Sequence, residues 1–189
     1  MKRIFIAIRI KPGDRLLGAV QNLQEEMAGD HIRWVDMNQL HITLAFLGDT
    51  PESKVKPLTQ LLDDAAGSTG EFSFRITGLG VFRSIKDPRV IWAGIESSEE
   101  LEDLYNKIKT GLKVLGTETE ERPFRPHLTL GRIKSLNNPA RLGEILGNYE
   151  HVHFQSVMVY ELILYESILS SSGPTYISLH NAGMQSACL

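Results

Sequence analysis

Two short stretches of this sequence share one pattern: HITLAFLG at residues 41–48 and HLTLGRIK at residues 127–134. Each starts with a histidine, places a threonine two positions later, and is otherwise largely apolar. Side chains two positions apart share a face of a β-strand, so each histidine points the same way as its threonine, and the apolar residues between them point the other way. The repeated strand indicates that one structural unit has been duplicated.

The surroundings of the two strands repeat as well. The alternating strand RIFIAI starts at residue 3 and VIWAGI starts at residue 90, a separation of 87, and the two histidines are 86 positions apart. Amphipathic helices are predicted between the strands of each half. We therefore interpret the chain as an imperfect duplication of a strand-helix-strand-helix-strand unit. This predicts one domain, 1–189, made of two intertwined pseudo-symmetric lobes at about 1–88 and 89–189.

The periodicity of apolar residues predicts the individual elements of a mixed α/β (α+β) fold. Alternation predicts strands at 3–10, 41–48, 71–76, 90–95, 127–134 and 154–167. Helical spacing predicts helices at 13–27, 50–67 and 97–116, and a short one from Pro139. For the second helix, Thr50 is the expected N-cap with Pro51 at the first helical position, and Ser97 with Glu100 is a candidate capping box for the third.

Composition limits the classes of protein that the chain can represent. With 189 residues, 42% of them hydrophobic, it can bury a substantial core. Its net charge of −3 argues against a general nucleic-acid coating protein. Cys188 is its one cysteine, so no internal disulfide or cysteine-rich metal cluster can form. The opening reads as a strand rather than a signal peptide, and no apolar run reaches the roughly 20 residues that cross a bilayer. We expect a cytoplasmic protein that does not bind membranes.

The duplication predicts where the polar side chains of the two strands meet. Packing their apolar residues against helices leaves His41, Thr43, His127 and Thr129 on the concave faces of the two sheets. A groove of this kind holds two imidazoles able to act as acid and base, and two hydroxyls able to bind a small polar group. One His-x-Thr alone is more often structural, but two copies at equivalent positions favour a functional site.

The residues resemble a known family, the two-histidine (2H) phosphoesterases, and specifically the RNA 2′,3′-cyclic phosphodiesterases once described as 2′-5′ RNA ligases. The resemblance covers nearly the whole chain through RIFIAI, HITLAFLGD, PRVIWAGI, FRPHLTLGRIK and ELILYESILSSSGPTY, in that order. It implies a bilobal α/β structure in which two antiparallel sheets line a central cleft and the helices lie outside.

The resemblance also implies a reaction, the hydrolysis of RNA 2′,3′-cyclic phosphate ends to 2′-phosphomonoesters without a metal or other cofactor. His41 is then the proton donor and His127 the proton acceptor, while Thr43 and Thr129 hold the nonbridging oxygens. The reverse reaction, 2′-5′ RNA ligation, is expected as a side activity. The implied partner is an RNA end recognised through its last nucleotide or two, by a monomer that needs no obligate protein partner.

Arg132 occupies the position where the family pattern carries an arginine that assists at the phosphate. Its odd spacing from His127 places it on the opposite face of a regular strand, so a contact requires the strand to bulge or end at Gly131. An exposed charge at a strand end is an equally good interpretation.

Other residues and functions remain open from the sequence. Arg125 and the basic loop 83–89 are weaker candidates for RNA contacts, and base-stacking candidates are Phe46, Trp34, Phe124 and Tyr165. Strand parity places Phe46 in the core. A zinc site using Asp49 or Glu161 lacks suitable spacing. A non-catalytic RNA-end-binding module, or a phosphodiesterase for another cyclic or 2′-5′ linked nucleotide, is the alternative function.

Overall fold

The computed structural model describes residues 1–96, 98–117, 123–170 and 173–186. Within these ranges the chain forms nine strands and four α-helices, arranged as two antiparallel sheets with helices packed against them. The strands are β1 (Lys2–Arg9), β2 (His31–Trp34), β3 (His41–Thr50), β4 (Phe72–Phe82), β5 (Val90–Glu96), β6 (His127–Ser135), β7 (His153–Val159), β8 (Glu161–Ser170) and β9 (Gly173–Gly183). The helices are α1 (Asp14–Glu26), α2 (Val55–Thr69), α3 (Glu99–Val114) and α4 (Pro139–Gly147).

The two sheets have corresponding strand orders. The first sheet runs β3-β1-β8-β9 and the second runs β2-β6-β5-β4-β7. In each sheet the histidine strand, β3 or β6, lies beside the alternating strand that the sequence repeats, β1 or β5. Each sheet also contains strands from the other half of the chain, because β4 joins the second sheet and β8 and β9 join the first. This exchange brings β3 and β6 close together, with Cα atoms within 8 Å.

The helices form where the apolar spacing predicts them, and their buried stripes join one hydrophobic core. In α1 this stripe includes Leu16, Val20 and Leu23, and in α3 it includes Leu104 and Ile108. Helix α2 packs against β8 and β9, while α3 contacts β3 and β4, one strand from each sheet. Burying apolar faces of this size is the main stabilising contribution to the fold.

Helix caps agree with the sequence at one helix and differ at another. Helix α4 begins at Pro139, and the side chain of Asn138 accepts hydrogen bonds from the backbone amides of Ala140 and Arg141. The predicted cap of α2 is wrong, because Thr50 is the last residue of β3 and its hydroxyl donates to the Gly48 carbonyl at 3.1 Å. A short 3-10 turn separates it from the helix. Helix α3 is capped by Ser98, whose hydroxyl accepts from the Leu101 amide, whereas Ser97 lies outside the described residues, as does Cys188.

The predicted strand over 154–167 is wrong as one element. The chain leaves the second sheet after β7, passes Tyr160, which is 59% exposed, and enters the first sheet as β8. Apolar alternation continues across this crossing because both strands bury one face in the same core. Two strands, β2 and β9, were not predicted, since β2 is only 4 residues long and β9 is largely polar. No helix in the described ranges is long and apolar enough to span a membrane.

Candidate active site

Both histidine strands contain a β-bulge at the same distance from the histidine. In β3, Ala7 of β1 pairs with Thr43 and Ile6 pairs with Ala45, which leaves Leu44 as the extra residue. In β6, Trp92 pairs with Thr129 and Ile91 pairs with Gly131, which leaves Leu130 as the extra residue. A bulge bends the strand and shifts the alternation of its side chains by one position. Residues beyond each bulge therefore point opposite to the direction that simple parity predicts.

The predicted site residues line one cavity of about 380 Å³ where the two strands meet. Strand β3 supplies His41 and Thr43, and β6 supplies His127, Thr129 and Arg132. The apolar residues between them, including Ile42 and Leu128, are fully buried on the other face. We call this cavity the cleft. All five residues expected from the sequence are thus brought together by two strands that lie in different sheets.

Each cleft histidine is held in the same orientation by a backbone carbonyl. Nδ1 of His41 lies 2.7 Å from the carbonyl oxygen of Gln39, and Nδ1 of His127 lies 2.8 Å from that of Arg125. A carbonyl only accepts hydrogen bonds, so Nδ1 carries the proton and donates it in both rings. Nε2 is then the nitrogen left to gain or lose a proton in the cleft. In both strands the carbonyl belongs to the residue two positions before the histidine.

Aromatic side chains fix the two imidazole rings from the side. The centre of the His41 ring lies 5.0 Å from the centre of the Phe5 ring and 5.1 Å from that of the Tyr176 ring, and the contact with Tyr176 is edge to face. The ring of His127 lies 4.6 Å from that of Phe82, also edge to face. Such contacts restrict ring rotation without occupying a nitrogen.

Burial lowers the pKa of both cleft histidines below the ordinary imidazole value of 6.5. The hydrogen bonds to the Gln39 and Arg125 carbonyls act in the opposite direction because they favour the charged ring. The positive charge of Arg132 lowers the pKa of both histidines further, and His127 also lowers that of His41. Two imidazoles and an arginine close enough to repel one another form a site suited to an anion.

Arg132 reaches the cleft because of the bulge in β6. Parity alone places it on the face opposite His127, but the extra residue Leu130 returns it to the cleft side, where it is exposed. Across the sheet it pairs directly with Arg33 of β2, which also lines the cleft. Like charges directly opposite each other destabilise a sheet. Their position at the mouth of one cavity favours a bound anion that lies between them.

Several cleft residues were missed from the sequence. Arg33 and Tyr176 lie on the two strands that were not predicted, β2 and β9, so they could not be placed on a face. Burial raises the pKa of the Tyr176 hydroxyl, which keeps it a hydrogen-bond donor. Trp34, which the sequence offered as a base-stacking candidate, also lines the cleft. The acidic Asp36 lies there too, but its carboxylate accepts a hydrogen bond from the Asn38 amide at 2.9 Å.

The other candidates lie at different distances from the cleft. Phe46 is not a core residue, because the bulge at Leu44 turns its ring outward and leaves it 40% exposed. Phe124 and Arg125 line an adjoining cavity. Tyr165 packs against Phe5 behind His41.

Charged residues elsewhere have separate surroundings. In the loop 83–89, Asp87 forms ion pairs with Arg83 at 2.8 Å and with Arg89 at 3.0 Å. His180 pairs with Asp63 at 2.7 Å. Among the described residues, no three His, Cys, Asp or Glu side chains group together as a candidate metal site.

Comparison with known proteins identifies the family to which this chain belongs. A model of the 2′-5′ RNA ligase superfamily matches residues 12–166. A protein named RNA 2′,3′-cyclic phosphodiesterase from Methanothermobacter thermautotrophicus is 32% identical over 179 residues, which cover 94% of this chain and 96% of that protein. A protein of the same name from Archaeoglobus fulgidus is 32% identical over 178 residues, which cover 94% of this chain and 97% of that protein.

Solved structures share the fold along its whole length. The crystal structure of TT0787 from Thermus thermophilus has a TM-score of 0.80 at 26% identity and covers 98% of this chain and 100% of that one. The structure of E. coli LigT complexed with 3′-AMP has a TM-score of 0.73 at 24% identity, with coverage of 97% and 98%.

Two antiparallel sheets whose His-x-Thr strands meet at one cleft define a two-histidine phosphoesterase. The chain belongs to the 2′-5′ RNA ligase superfamily, and the resemblance seen in its sequence is confirmed at the level of the family.

Proposed function

We propose that this protein hydrolyses RNA 2′,3′-cyclic phosphate ends to 2′-phosphomonoesters by metal-independent acid–base catalysis. The observation that carries the proposal is the pair of equivalent histidines, each with Nδ1 bound to a carbonyl and Nε2 left to the same cleft. The relatives named RNA 2′,3′-cyclic phosphodiesterase support the substrate class.

The reaction needs one proton removed and one proton supplied. His127 accepts a proton from the attacking water at Nε2, the new P–O bond forms, and the bond from phosphorus to the 3′ oxygen breaks. His41 gives its Nε2 proton to that oxygen, which leaves a 3′-hydroxyl and a 2′-phosphate. Proton transfer by positioned side chains of this kind typically contributes about 10²- to 10⁴-fold to the rate.

The hydroxyls and the arginine act on charge that develops at phosphorus. Thr43 and Thr129 donate hydrogen bonds to the nonbridging oxygens, and Arg132 places a positive charge beside them. These contacts strengthen as the pentavalent transition state forms, and donors already in position need little reorganisation. The cleft therefore stabilises the transition state more than the cyclic ester.

The protonation states required for this reaction predict its pH dependence. His41 must be charged and His127 neutral, so kcat/KM follows a bell-shaped curve whose limits belong to the coupled pair. Because burial and Arg132 lower the pKa of both histidines, the maximum is expected on the acidic side of 6.5.

The same steps with a 5′-hydroxyl in place of the attacking water join it to a cyclic phosphate end, which gives a 2′-5′ linkage without ATP and is the reverse of 2′-5′ cleavage. We also propose that one polypeptide suffices, as a cytoplasmic monomer, since both histidine strands come from the same chain. The chain is then one domain, with its two intertwined lobes divided near residue 88.

The test uses an oligoribonucleotide that ends in a 2′,3′-cyclic phosphate, incubated with the protein in EDTA and followed by phosphorus NMR. His41→Asn and His127→Asn are the informative variants, because the asparagine amide can still donate to the Gln39 or Arg125 carbonyl but offers no Nε2. His151→Ala removes an exposed histidine outside the cleft and serves as the control.

A 2′-phosphate formed by the unmodified protein and the control, and lost by at least about 100-fold in both asparagine variants, is the expected result. Formation of a 3′-phosphate would mean that the bond from phosphorus to the 2′ oxygen breaks, and not the bond to the 3′ oxygen. Binding without turnover would instead make the cleft a reader of RNA ends, and a requirement for added metal would contradict the two-histidine mechanism.

A further inference from the structure

A second cavity of about 210 Å³ adjoins the cleft, and the two share Thr43 and His127 as lining residues. Its other walls come from β3, α3 and the segment that leads into β6. They include Phe46, Tyr105, Lys109, Phe124 and Arg125. We call this cavity the side compartment.

The side compartment combines aromatic surface with positive charge. The rings of Tyr105 and Phe124 stack in parallel at 4.0 Å, and the Lys109 ammonium lies 5.9 Å from the centre of the Tyr105 ring. The exposed ring of Phe46 forms a further apolar surface. Arg125 and Lys109 are both exposed, in a chain whose net charge is −3. Aromatic faces beside cations bind single nucleotides, because bases stack on the rings and phosphates pair with the cations.

The two histidines relate differently to this compartment. His127 lines both cavities, and His41 lines the cleft. In an in-line displacement the attacking oxygen and the departing oxygen lie on opposite sides of phosphorus. His127 accepts the proton of the attacking oxygen, so a group that enters beside His127 approaches from the attacking side. The compartment thus leads to the place that water occupies during hydrolysis.

We propose that the side compartment binds the nucleotide whose 5′ oxygen is the attacking group in 2′-5′ ligation and the leaving group in 2′-5′ cleavage. This inference rests on the function proposed above. The base of that nucleotide stacks against the aromatic wall, its 3′-phosphate lies near Lys109 or Arg125, and its 5′ oxygen points to His127.

The atoms of the ligation step balance without a further reactant. The 5′ oxygen forms a bond to phosphorus and gives its proton to Nε2 of His127. The bond between phosphorus and the 3′ oxygen breaks, and that oxygen receives the Nε2 proton of His41. The product is a 2′-5′ phosphodiester beside a free 3′-hydroxyl. In the reverse direction the 3′-hydroxyl attacks, and the 5′ oxygen leaves with the proton from His127.

This assignment separates two activities of one catalytic centre. Hydrolysis of a nucleoside 2′,3′-cyclic phosphate uses only water on the attacking side, so it leaves the side compartment empty. Joining or cleaving a 2′-5′ linkage requires a nucleotide there. Substitutions in the side compartment should therefore change the second activity selectively.

The test compares both activities in Lys109→Ala and Phe46→Ala. Lys113→Ala is the matched control, since Lys113 lies one turn further along α3, is exposed and does not line the compartment. The assays are hydrolysis of adenosine 2′,3′-cyclic phosphate and cleavage of the first linkage in a trinucleotide ApApA. That first linkage is 2′-5′ and the second is 3′-5′, so the internal nucleotide carries a 3′-phosphate.

We expect both variants to lower kcat/KM for 2′-5′ cleavage by about tenfold or more, with hydrolysis of the cyclic mononucleotide changed less than twofold. Lys113→Ala should change neither activity. Equal losses in both assays would assign the compartment to the cyclic nucleotide itself and overturn the proposal. Hydrolysis by the unmodified protein without any 2′-5′ cleavage would also overturn it, while absence of hydrolysis would contradict the underlying function instead.

Discussion

Replacing Arg132 by glutamine tests the electrostatic design of the cleft most directly. The substitution removes one positive charge and keeps a polar side chain of similar reach. Arg132 acts on both cleft histidines at once, and it lies beyond the bulge that turns it into the cleft. Loss of its charge should therefore alter both catalytic rate and histidine titration.

The magnitude follows from the kind of contact that is lost. A hydrogen bond to a charged group contributes about 1.5–3 kcal/mol. Since about 1.4 kcal/mol corresponds to a factor of ten in rate, Arg132→Gln should lower kcat/KM by about 10- to 150-fold. The pKa of His41 and of His127 should rise, because the repulsion that disfavours each charged ring has been removed. Both limbs of the pH profile should then move to higher pH.

Histidine titration by NMR and the pH profile of kcat/KM are the two measurements. Arg33→Gln is the control, since it removes the opposite arginine of the same cleft. It should weaken substrate binding but move the titration of the histidines less than Arg132→Gln does. An unchanged rate in Arg132→Gln, or a histidine pKa that falls, would refute the assignment of Arg132 to the phosphate.

Three further predictions concern the threonines and the scaffold. Thr129→Val should lower kcat/KM by about tenfold or more, because it removes a hydroxyl that binds a charged oxygen. Thr129→Ser keeps the hydroxyl and should retain most of the activity. Equal rates in the two variants would exclude the hydrogen bond. Asn138→Ala should lower the free energy of unfolding by about 1 kcal/mol in a urea titration, because the N-cap of α4 is lost, with activity per folded molecule unchanged. Gly78→Ala should lower the free energy of unfolding by more than about 2 kcal/mol. Gly78 has φ of 67°, and a Cβ there would lie 2.6 Å from the Glu150 carbonyl oxygen. A thermal midpoint equal to that of the unmodified protein would contradict this prediction.

The parts of the fold that follow from periodicity could be predicted from the sequence. Alternating apolar residues placed β1, β5 and both histidine strands. Helical spacing placed α1 and α3 within two residues of their observed ends, α2 with a start five residues too early, and the start of α4. These patterns are local, because one face of each element must be buried wherever the element lies in the fold. The same reasoning put His41 and His127 opposite the buried faces of their strands.

The bulge in β3 could not be predicted, whereas a bulge or strand end at Gly131 in β6 was named from the sequence as the condition for Arg132 to reach the cleft. No residue pattern announces the extra position at Leu44 or Leu130, since both look like ordinary buried strand residues. Parity therefore put Phe46 in the core, where it is not, and allowed Arg132 into the cleft only if β6 bulged or ended at Gly131; the structure has this bulge, with Leu130 as the extra residue. A bulge is decided by pairing with another strand, here β1 or β5, and so it depends on contacts that are distant in sequence.

Strand β9 shows a second limit of sequence reasoning. Most of its residues are only partly buried or exposed, so the apolar alternation that identifies a strand is weak. It forms because β8 offers a complete partner edge along 10 residues. Tyr176, which lies on it beside His41, was missed for that reason.

The two histidine strands are equivalent in their histidines and threonines but differ just beyond the bulges. Five positions after each histidine, β3 carries Phe46 and β6 carries Arg132. A fully symmetric cleft could use either histidine as the acid, because each ring has the same carbonyl contact. Arg132 instead lines the cleft, where we propose that it supplies charge for the phosphate, while Phe46 lines the adjoining cavity on the side of His127. In the mechanism proposed above, the two equivalent strands provide the acid–base pair, and the divergence at this position contributes to a direction in the cleft, with the nucleophile entering beside His127.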